Sequence, residues 1–336
     1  MIRKLCFILL SFLFLTGIVI SAQAETLRFQ CAYPEKAHAG KSAMYFASEV
    51  EKLTNNSVKV EIHWPGTDKL VENKDAYDAM TQGKMEGYIG SFLYMLKYIP
   101  EGNCQWLPFN WENANEARDI LLNKGYMNIL EQATVQKGIV YLAPVSVATM
   151  GLMTTFPINK LEDLQGKKIR AVGMEAKILE ALGGLPVGVG ATKQYEAFQT
   201  KEIEGTDYPW YTLSPYKFNE FVKYISNPAF HNPGIIEILV GQKTYASLSD
   251  AQQKALKKAA LNTMDYSFNA AVALDQKAVE GANKSNIQVL KLSMDEQARF
   301  RAAVKPLWEE TANKSPLSSK LVEILMAELI AKGYTF

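Results

Sequence analysis

Apolar and polar residues alternate along the first half of the chain in a way that predicts strands separated by helices. The segments ETLRFQCAY and SVKVEIHWPG alternate bulky apolar side chains with polar ones, which is typical of strands. Between them, the apolar residues of GKSAMYFASEVEKLTNN recur at helical spacing. A second predicted helix, NKDAYDAMTQGKM, leads into the short predicted strand EGYIGS. This order predicts a mostly parallel sheet covered by helices.

The second half of the chain repeats this rhythm without repeating the sequence. Strands are predicted at GIVYLAPVSVATMGLMTT, KIRAVG, LPVGVG and EGTDYP. MEAKILEALGG and ATKQYEAFQTKEI are predicted helices, the second with Thr192 as its N-cap. From about Ser247 the pattern is almost wholly helical, and residues 249–284 form a stretch long enough to lie across two lobes. No linker separates the two halves, so we expect an α/β chain that crosses between two lobes more than once.

A strongly apolar segment opens the chain. The residues MIRK precede an apolar run from Leu5 to Ile20, and Ala22 and Ala24 then stand like the small residues of a signal-peptidase site. Residues 1–24 are therefore predicted to be a secretory signal peptide that is cleaved after Ala24. An uncleaved membrane anchor is the alternative, because the run is just long enough to cross a bilayer.

The charge of the predicted mature chain is nearly balanced. About 312 residues remain after cleavage, which is enough for two domains. They carry 34 basic and 35 acidic residues, with no long run of either sign. Nucleic acid and membrane surfaces are poor candidate partners, because either would require a basic face.

Motifs of enzymes and of metal sites are mostly absent. The histidines, His38, His63 and His231, form no H-x-x-x-H pair, and there is no C-x-x-C, so neither a metal nor a cofactor is predicted. Cys31 and His38 could be a nucleophile and its base, but we interpret them as a strand residue and a loop histidine. Cys31 and Cys104 either form a disulfide or remain two buried thiols, and their spacing leaves both open.

Arg170 is the first candidate for ligand binding. It ends the predicted strand KIRAVG, close to Gly173 and to the start of a helix. A guanidinium offers paired donors that match a carboxylate, and the helix amino terminus favours an anion. The alternative is a surface arginine paired with an acidic side chain.

Aromatic residues crowd the segment after the predicted strand EGTDYP. Tyr208, Trp210, Tyr211 and Tyr216 lie close together in the sequence there. Aromatic side chains on a loop at the end of a strand can form the wall of a pocket, and they can equally form core between lobes. Tyr94, in the loop after the third predicted strand, has the same two interpretations.

Several segments together resemble the DctP-type solute receptors of TRAP transporters. The resemblance is collinear over nearly the whole mature chain and is carried by FASEVEKLTNNSVKVEIHWPG, AMTQGKMEGYIGS, LPF, PINKLEDLQGKKIRAVG, GLPVGVGATKQYEAFQTKEIEGTDYP and the helical tail. It implies a periplasmic α/β protein of the two-lobed, type II-like Venus flytrap class, with a long helix that braces both lobes. Such receptors close on an organic acid and deliver it to the small and large permease subunits in the membrane.

The resemblance also divides the chain. It implies a first lobe of residues 25–146 with about 232–273, and a second lobe of residues 147–231 with about 274–336. In such receptors the arginine of the KIR strand usually binds the ligand carboxylate, and that position here is Arg170. We expect a monomer without cofactors.

This chain departs from the family pattern at two positions. Tyr208 stands where an asparagine is usual, and TMGLMTT lacks the arginine that many dicarboxylate receptors carry there. Both departures exchange polar recognition for apolar area, so we expect a monocarboxylate with an aromatic body, such as an indole or phenyl acid. The predicted binding residues are Arg170, Tyr208, Trp210, Tyr211, Tyr94, Glu35, Met150, Gly173 and His231. Glu35 is expected to hold an ammonium or ring N–H if the ligand has one, or else to be a solvated acid.

Other functions remain open at this point. A small 2-oxo or 2-hydroxy acid would fit if the aromatic side chains only close down the cavity, and a C4-dicarboxylate is a further alternative. A secreted α/β hydrolase or lyase is disfavoured, because three scattered histidines provide no nucleophile and base or metal set. A structural or adhesive role is suggested only by the aromatic content.

Overall fold

Strands and helices alternate along the chain in the computed structural model, which describes residues 24–66 and 68–334. The strands are β1 (Glu25–Cys31), β2 (Val58–His63), β3 (Gly87–Gly90), β4 (Ile139–Ser146), β5 (Met150–Thr154), β6 (Lys168–Arg170), β7 (Leu185–Val187), β8 (Gly205–Pro209), β9 (Tyr224–Asn227), β10 (Ile235–Gly241) and β11 (Gln288–Lys291). The helices are α1 (His38–Leu53), α2 (Ala76–Thr81), α3 (Ala114–Asn123), α4 (Tyr126–Val135), α5 (Met174–Ala181), α6 (Gln194–Gln199), α7 (Gln242–Ser247), α8 (Asp250–Lys284), α9 (Met294–Ala312) and α10 (Pro316–Ala331). The predicted signal peptide, except for its last residue, lies outside the described residues.

The first sheet has the strand order β2-β1-β3-β10-β4. β1 is parallel to β2 and β3, whereas β10 is antiparallel to both of its neighbours. The alternation seen in the sequence buries Leu27 and Phe29 of β1. On α1, which packs against β2, residues Ala43, Phe46 and Val50 are buried at helical spacing. The predicted βαβ arrangement of this half is confirmed.

The second sheet has the strand order β11-β9-β5-β8-β6-β7. β6 is parallel to β7 and β8, and β9 is parallel to β11. β5 is antiparallel to β8 and β9. Each sheet therefore has one strand, β10 or β5, that runs against both of its neighbours.

The antiparallel strands arise where the chain crosses between the sheets. β5 follows β4 after residues 147–149, and β10 follows β9 after residues 228–234. The two crossing segments are hydrogen-bonded to each other, since Met150 N–H donates to His231 O at 2.9 Å and Val147 N–H donates to Gly234 O at 2.9 Å. Each crossing leaves one sheet and enters the other at the carboxyl ends of the parallel strands. These ends consequently face each other across a cleft, which is where such sheets bind ligands.

The long helix α8 makes a third connection between the sheets. It begins at Ser249, whose hydroxyl accepts a hydrogen bond from Gln252 N–H, and it packs on α1 and β4 near its start and on β11 near its end. The two-lobed α/β fold with a bridging helix is thus confirmed. α10 packs on α4 and on the 3-10 segment Pro100–Trp106. The residue bounds given above for the lobes remain a prediction.

One local prediction is confirmed with an interruption, and another is wrong. The segment GIVYLAPVSVATMGLMTT, predicted to be strand-like, forms two strands, β4 and β5, and the chain turns between them at Ala148, whose φ is +69°. A left-handed conformation interrupts the ladder at that point, although the residues on both sides continue the strand-like pattern. Thr192 is not a helix cap, because it lies inside a 3-10 turn, Ala191–Lys193, and α6 begins after it.

Cys31 and Cys104 are both buried, and neither forms a disulfide. Burial raises the pKa of each thiol to about 12, so both are unreactive at neutral pH. Within residues 24–66 and 68–334, no helix has the length and apolar character needed to cross a membrane.

Candidate ligand-binding cleft

Arg170 lies at the carboxyl end of β6, at the edge of the cleft. Its neighbours across the sheet are Val187 on β7 and Thr206 on β8. The side chain is only 8% exposed. Nε donates to Val189 O at 3.0 Å, and Nη1 donates to Asp207 O at 3.3 Å. Two main-chain carbonyls therefore fix the guanidinium, and neither of these bonds neutralises its charge.

The ring of Tyr208 lies against the Arg170 guanidinium. The Cζ atom of Arg170 is 5.0 Å from the ring centroid, which is within the range of a cation–π contact. Tyr216 and Phe218 pack beside the same ring, with centroids 5.9 and 6.4 Å away. Burial raises the pKa of Tyr208, so its hydroxyl stays protonated. The Tyr208 ring thus fixes the orientation of the Arg170 guanidinium, and Tyr216 and Phe218 support that ring.

Two carboxylates lie beside Arg170, and neither was among the predicted binding residues. Glu175 is in the first turn of α5, which begins after Gly173 at a φ of +60°, and it is 6% exposed. Burial raises the pKa of Glu175 to about 7, against the lowering effect of Arg170. Glu175 therefore keeps its proton to a higher pH than a solvated glutamic acid does.

Asp207 on β8 is the second carboxylate. It is 0% exposed, and no residue that the structure describes forms a hydrogen bond with either of its side-chain oxygens. Burial raises the pKa of Asp207 well above its usual value, Glu175 raises it further and Arg170 lowers it. Arg170, Glu175 and Asp207 consequently form one electrostatic cluster, called here the charged triad.

The first lobe faces the charged triad with aromatic side chains. Burial raises the pKa of Tyr33, and the nearby Tyr94 and Glu175 add to this effect. Tyr33, in the loop after β1, therefore lies within electrostatic reach of Glu175 across the cleft. Tyr94 is 45% exposed at the end of the 3-10 segment Phe92–Tyr94. Glu35, in the same loop as Tyr33, is exposed.

Tyr211 and Trp210, two other predicted binding residues, pack against residues other than Arg170. Tyr211 reaches the first lobe, where its ring is edge-on to His38 with centroids 6.4 Å apart. Trp210 is buried in the core of the second lobe, with its indole nitrogen next to Gly151 and with Ala229 in the same cluster. Trp210 therefore lies in the core of the second lobe and not in core between the lobes.

Met150 and His231 lie where the two crossing segments pair. The main-chain N–H of each donates to the carbonyl of the other, at 2.9 and 3.1 Å. His231 is fully buried, with its ring edge-on to Trp106 at 5.2 Å, and neither ring nitrogen has a hydrogen-bond partner among the described residues. Burial lowers the pKa of His231 to about 3, so the imidazole is neutral.

A cavity of about 450 Å³ opens beside Gly173 between the two lobes. Its lining is partly apolar and partly cationic, and consists of Leu93, Leu96, Lys97, Pro100, Asn103, Gly173, Met174, Lys177, Glu310 and Lys314. This volume falls in the range of small-molecule sites.

The structure thus places Arg170, Tyr208 and Gly173 in one neighbourhood. Tyr94 and Tyr211 lie on other parts of the cleft, and Met150 and His231 lie at the crossing segments. Glu175 and Asp207 were missed because an acid in a first helical turn or in a strand gives no sign of burial. The only available signal was that Asp207 directly precedes Tyr208.

Comparisons with known proteins agree with this architecture. The family model of the bacterial extracellular solute-binding proteins, family 7 (DctP), matches residues 30–315. The C4-dicarboxylate-binding periplasmic protein DctP of Rhodobacter capsulatus is 24% identical over 304 residues, which cover 87% of this chain and 88% of that protein.

Two solved structures show the same fold. A TRAP periplasmic solute-binding protein from Ochrobactrum anthropi has a TM-score of 0.81 at 23% identity, and the match covers 94% of this chain and 98% of that one. DctP7 of Bordetella pertussis, an extracytoplasmic solute receptor binding pyroglutamic acid, has a TM-score of 0.78 at 18% identity, with 90% and 100% covered. The family match spans most of the chain, and this protein therefore belongs to the DctP family of TRAP-type extracytoplasmic solute receptors.

Proposed function

We propose that this receptor binds a monocarboxylate with an aromatic body, such as an indole or phenyl acid, with Arg170 as the carboxylate partner. The observation that carries the proposal is the position of the guanidinium. It is buried at the cleft, fixed by Val189 O and Asp207 O, and stacked on Tyr208. A fixed and desolvated guanidinium is well suited to bind a carboxylate through two hydrogen bonds.

The surroundings of Arg170 favour a ligand with one carboxylate over a ligand with two. The segment 149–155 supplies no second cation, and Tyr208 brings a ring where an amide would have supplied hydrogen bonds. An aromatic ligand that buries on the order of 100 Å² of apolar surface gains about 2–3 kcal/mol before ordering costs. The cavity beside Gly173 offers room for such a body next to Leu93 and Met174.

The proposed mechanism is closure of the two lobes on the ligand. Both crossing segments are short and hydrogen-bonded to each other, so the lobes can move as bodies about that pair. A ligand that contacts both lobes binds the closed state more tightly and shifts the population towards it. In the periplasm, the small and large permease subunits would then recognise the closed receptor. An ion gradient would drive transport of the acid across the membrane.

A carboxylate screen tests the proposal. We expect indole-3-acetate or phenylacetate to raise the melting temperature, and succinate, pyruvate and lactate to have little effect. Stabilisation by succinate and by no aromatic acid would contradict the specificity, and turnover of a bound acid would show an enzyme.

Replacement of Arg170 tests the carboxylate partner. We expect Arg170→Ala to weaken binding of the tightest acid more than 30-fold, since loss of a buried charge partner costs about 2–5 kcal/mol. Isothermal titration calorimetry measures the change. Arg299→Ala is the matched control, because Arg299 is half-exposed and pairs with Glu162 and Glu296 away from the cleft. Equal affinity of the Arg170→Ala variant and the unmodified receptor would exclude Arg170 from binding.

A further inference from the structure

We propose that the ligand carries an ammonium group beside its carboxylate, as an aromatic α-amino acid does, and that Asp207 and Glu175 bind this ammonium. The proposal rests on the proposed function, because it takes Arg170 as the partner of the carboxylate.

The buried carboxyl group of Asp207 favours an ammonium partner. Both carboxylate oxygens are buried, and no described residue donates a hydrogen bond to either of them. A buried polar group without a partner is costly, and a buried charge without one is far more costly. An ammonium group has three N–H donors and a positive charge, so it would supply what Asp207 lacks.

The balance of charge in the triad also favours an ammonium. Arg170 brings one positive charge, and Glu175 and Asp207 bring two carboxyl groups, each of which Arg170 influences. Burial favours the protonated form of both carboxyl groups, and a plain carboxylate ligand beside them would favour that form further. A zwitterion presents its carboxylate to Arg170 and its ammonium to the two carboxylates, so it adds no net charge.

The main chain holds Asp207 next to the guanidinium of Arg170. Asp207 is the residue whose main-chain oxygen accepts the hydrogen bond from Arg170 Nη1 at 3.3 Å, so its side chain begins next to the guanidinium. Glu175 lies just after Gly173 in the first turn of α5, with its carboxylate beside that glycine. The carboxylate and ammonium groups of an α-amino acid are attached to the same carbon atom. The cationic and acidic side chains that bind them must therefore also lie close together.

Paired ligands that differ only in the ammonium group test the proposal. The pairs are L-tryptophan with indole-3-propanoate, L-phenylalanine with 3-phenylpropanoate, and L-leucine with 4-methylpentanoate. We expect the unmodified receptor to bind at least one amino acid ten or more times more tightly than its partner acid, by isothermal titration calorimetry at pH 7.5.

Variants of the carboxylates locate the ammonium site. We expect Asp207→Asn to weaken binding of that amino acid at least tenfold and to leave or improve binding of its partner acid. Glu175→Gln is expected to act in the same direction. Asp265→Asn is the matched control, since Asp265 is half-exposed and pairs with Arg118 on the surface. Circular dichroism and the melting temperature of each variant show that it is folded.

The outcomes separate this proposal from the proposed function. If the partner acids bind as tightly as the amino acids, or if no amino acid of the three pairs binds, the ammonium proposal is overturned. If Asp207→Asn and Glu175→Gln weaken both members of a pair equally, it is also overturned. The amide L-tryptophanamide, which keeps the ammonium and lacks the carboxylate, tests the Arg170 site separately, and the proposed function fails if it binds as tightly as L-tryptophan.

Discussion

At the scale of single residues, the site depends on how Arg170 is held. Two carbonyl oxygens and one aromatic ring fix its guanidinium, so little conformational entropy would be lost on binding the proposed carboxylate. Under the proposal above, Asp207 and Glu175 select what else the ligand must carry. The placement of Arg170 at a strand end before a helix could be predicted from the sequence, and its role in binding stays a prediction. Its buried carboxylate neighbours could not, because burial depends on residues distant in sequence.

The ring of Tyr208 is predicted to support ligand binding through its contact with Arg170, and its hydroxyl is predicted not to be needed. We expect Tyr208→Leu to weaken binding of the tightest ligand by about 3- to 30-fold, since a cation–π contact contributes about 0.5–2 kcal/mol. Tyr208→Phe keeps the ring and is expected to stay within threefold of the unmodified receptor. Titration calorimetry on both variants checks the difference, and equal affinities of the Leu and Phe variants would contradict it.

At the scale of secondary structure, the periodic segments were predictable and the interruptions were not. α8 runs over 35 residues from the Ser249 cap, and both its start and its pattern could be read directly from the sequence. The break between β4 and β5 at Ala148 has no comparable signal. It follows from the crossing to the second sheet, which is a property of the tertiary structure.

The cap of α8 is predicted to contribute to the stability of the whole chain. Ser249→Ala removes the acceptor for Gln252 N–H and should lower the free energy of unfolding by about 1 kcal/mol. Ser247→Ala, at the end of α7, is the control and should change it by less than about 0.5 kcal/mol. Urea denaturation compares the two, and equal effects would show that the cap is not stabilising.

At the scale of the molecule, the crossing segments join the two lobes around the buried His231. The imidazole packs on Trp106 in the first lobe, and its main chain pairs with Met150 of β5 in the second. Charging this ring would place a cation without a partner at the junction of the lobes. The stability of the molecule should therefore depend on pH through this residue.

The pH dependence can be predicted with its sign. Burial lowers the pKa of His231 from 6.5 to about 3. Between these values the unfolded chain binds a proton that the folded chain does not, so stability falls as the pH is lowered from 6.5 towards 3, by up to about 1.4 kcal/mol per pH unit. His231→Phe keeps a ring against Trp106 and should remove this part of the slope. Urea denaturation at several pH values measures both chains, and parallel curves would contradict the prediction.

The sequence by itself determined the periodic elements, the α/β class and the position of Arg170, because these depend on local spacing and on a collinear resemblance. Only the tertiary structure decided that Trp210 lies in the core, that Cys31 and Cys104 stay apart, and that Glu175 and Asp207 join Arg170. The physical reason is that burial and electrostatic proximity arise between residues far apart in the chain. Those contacts form only when two sheets and their crossing segments come together.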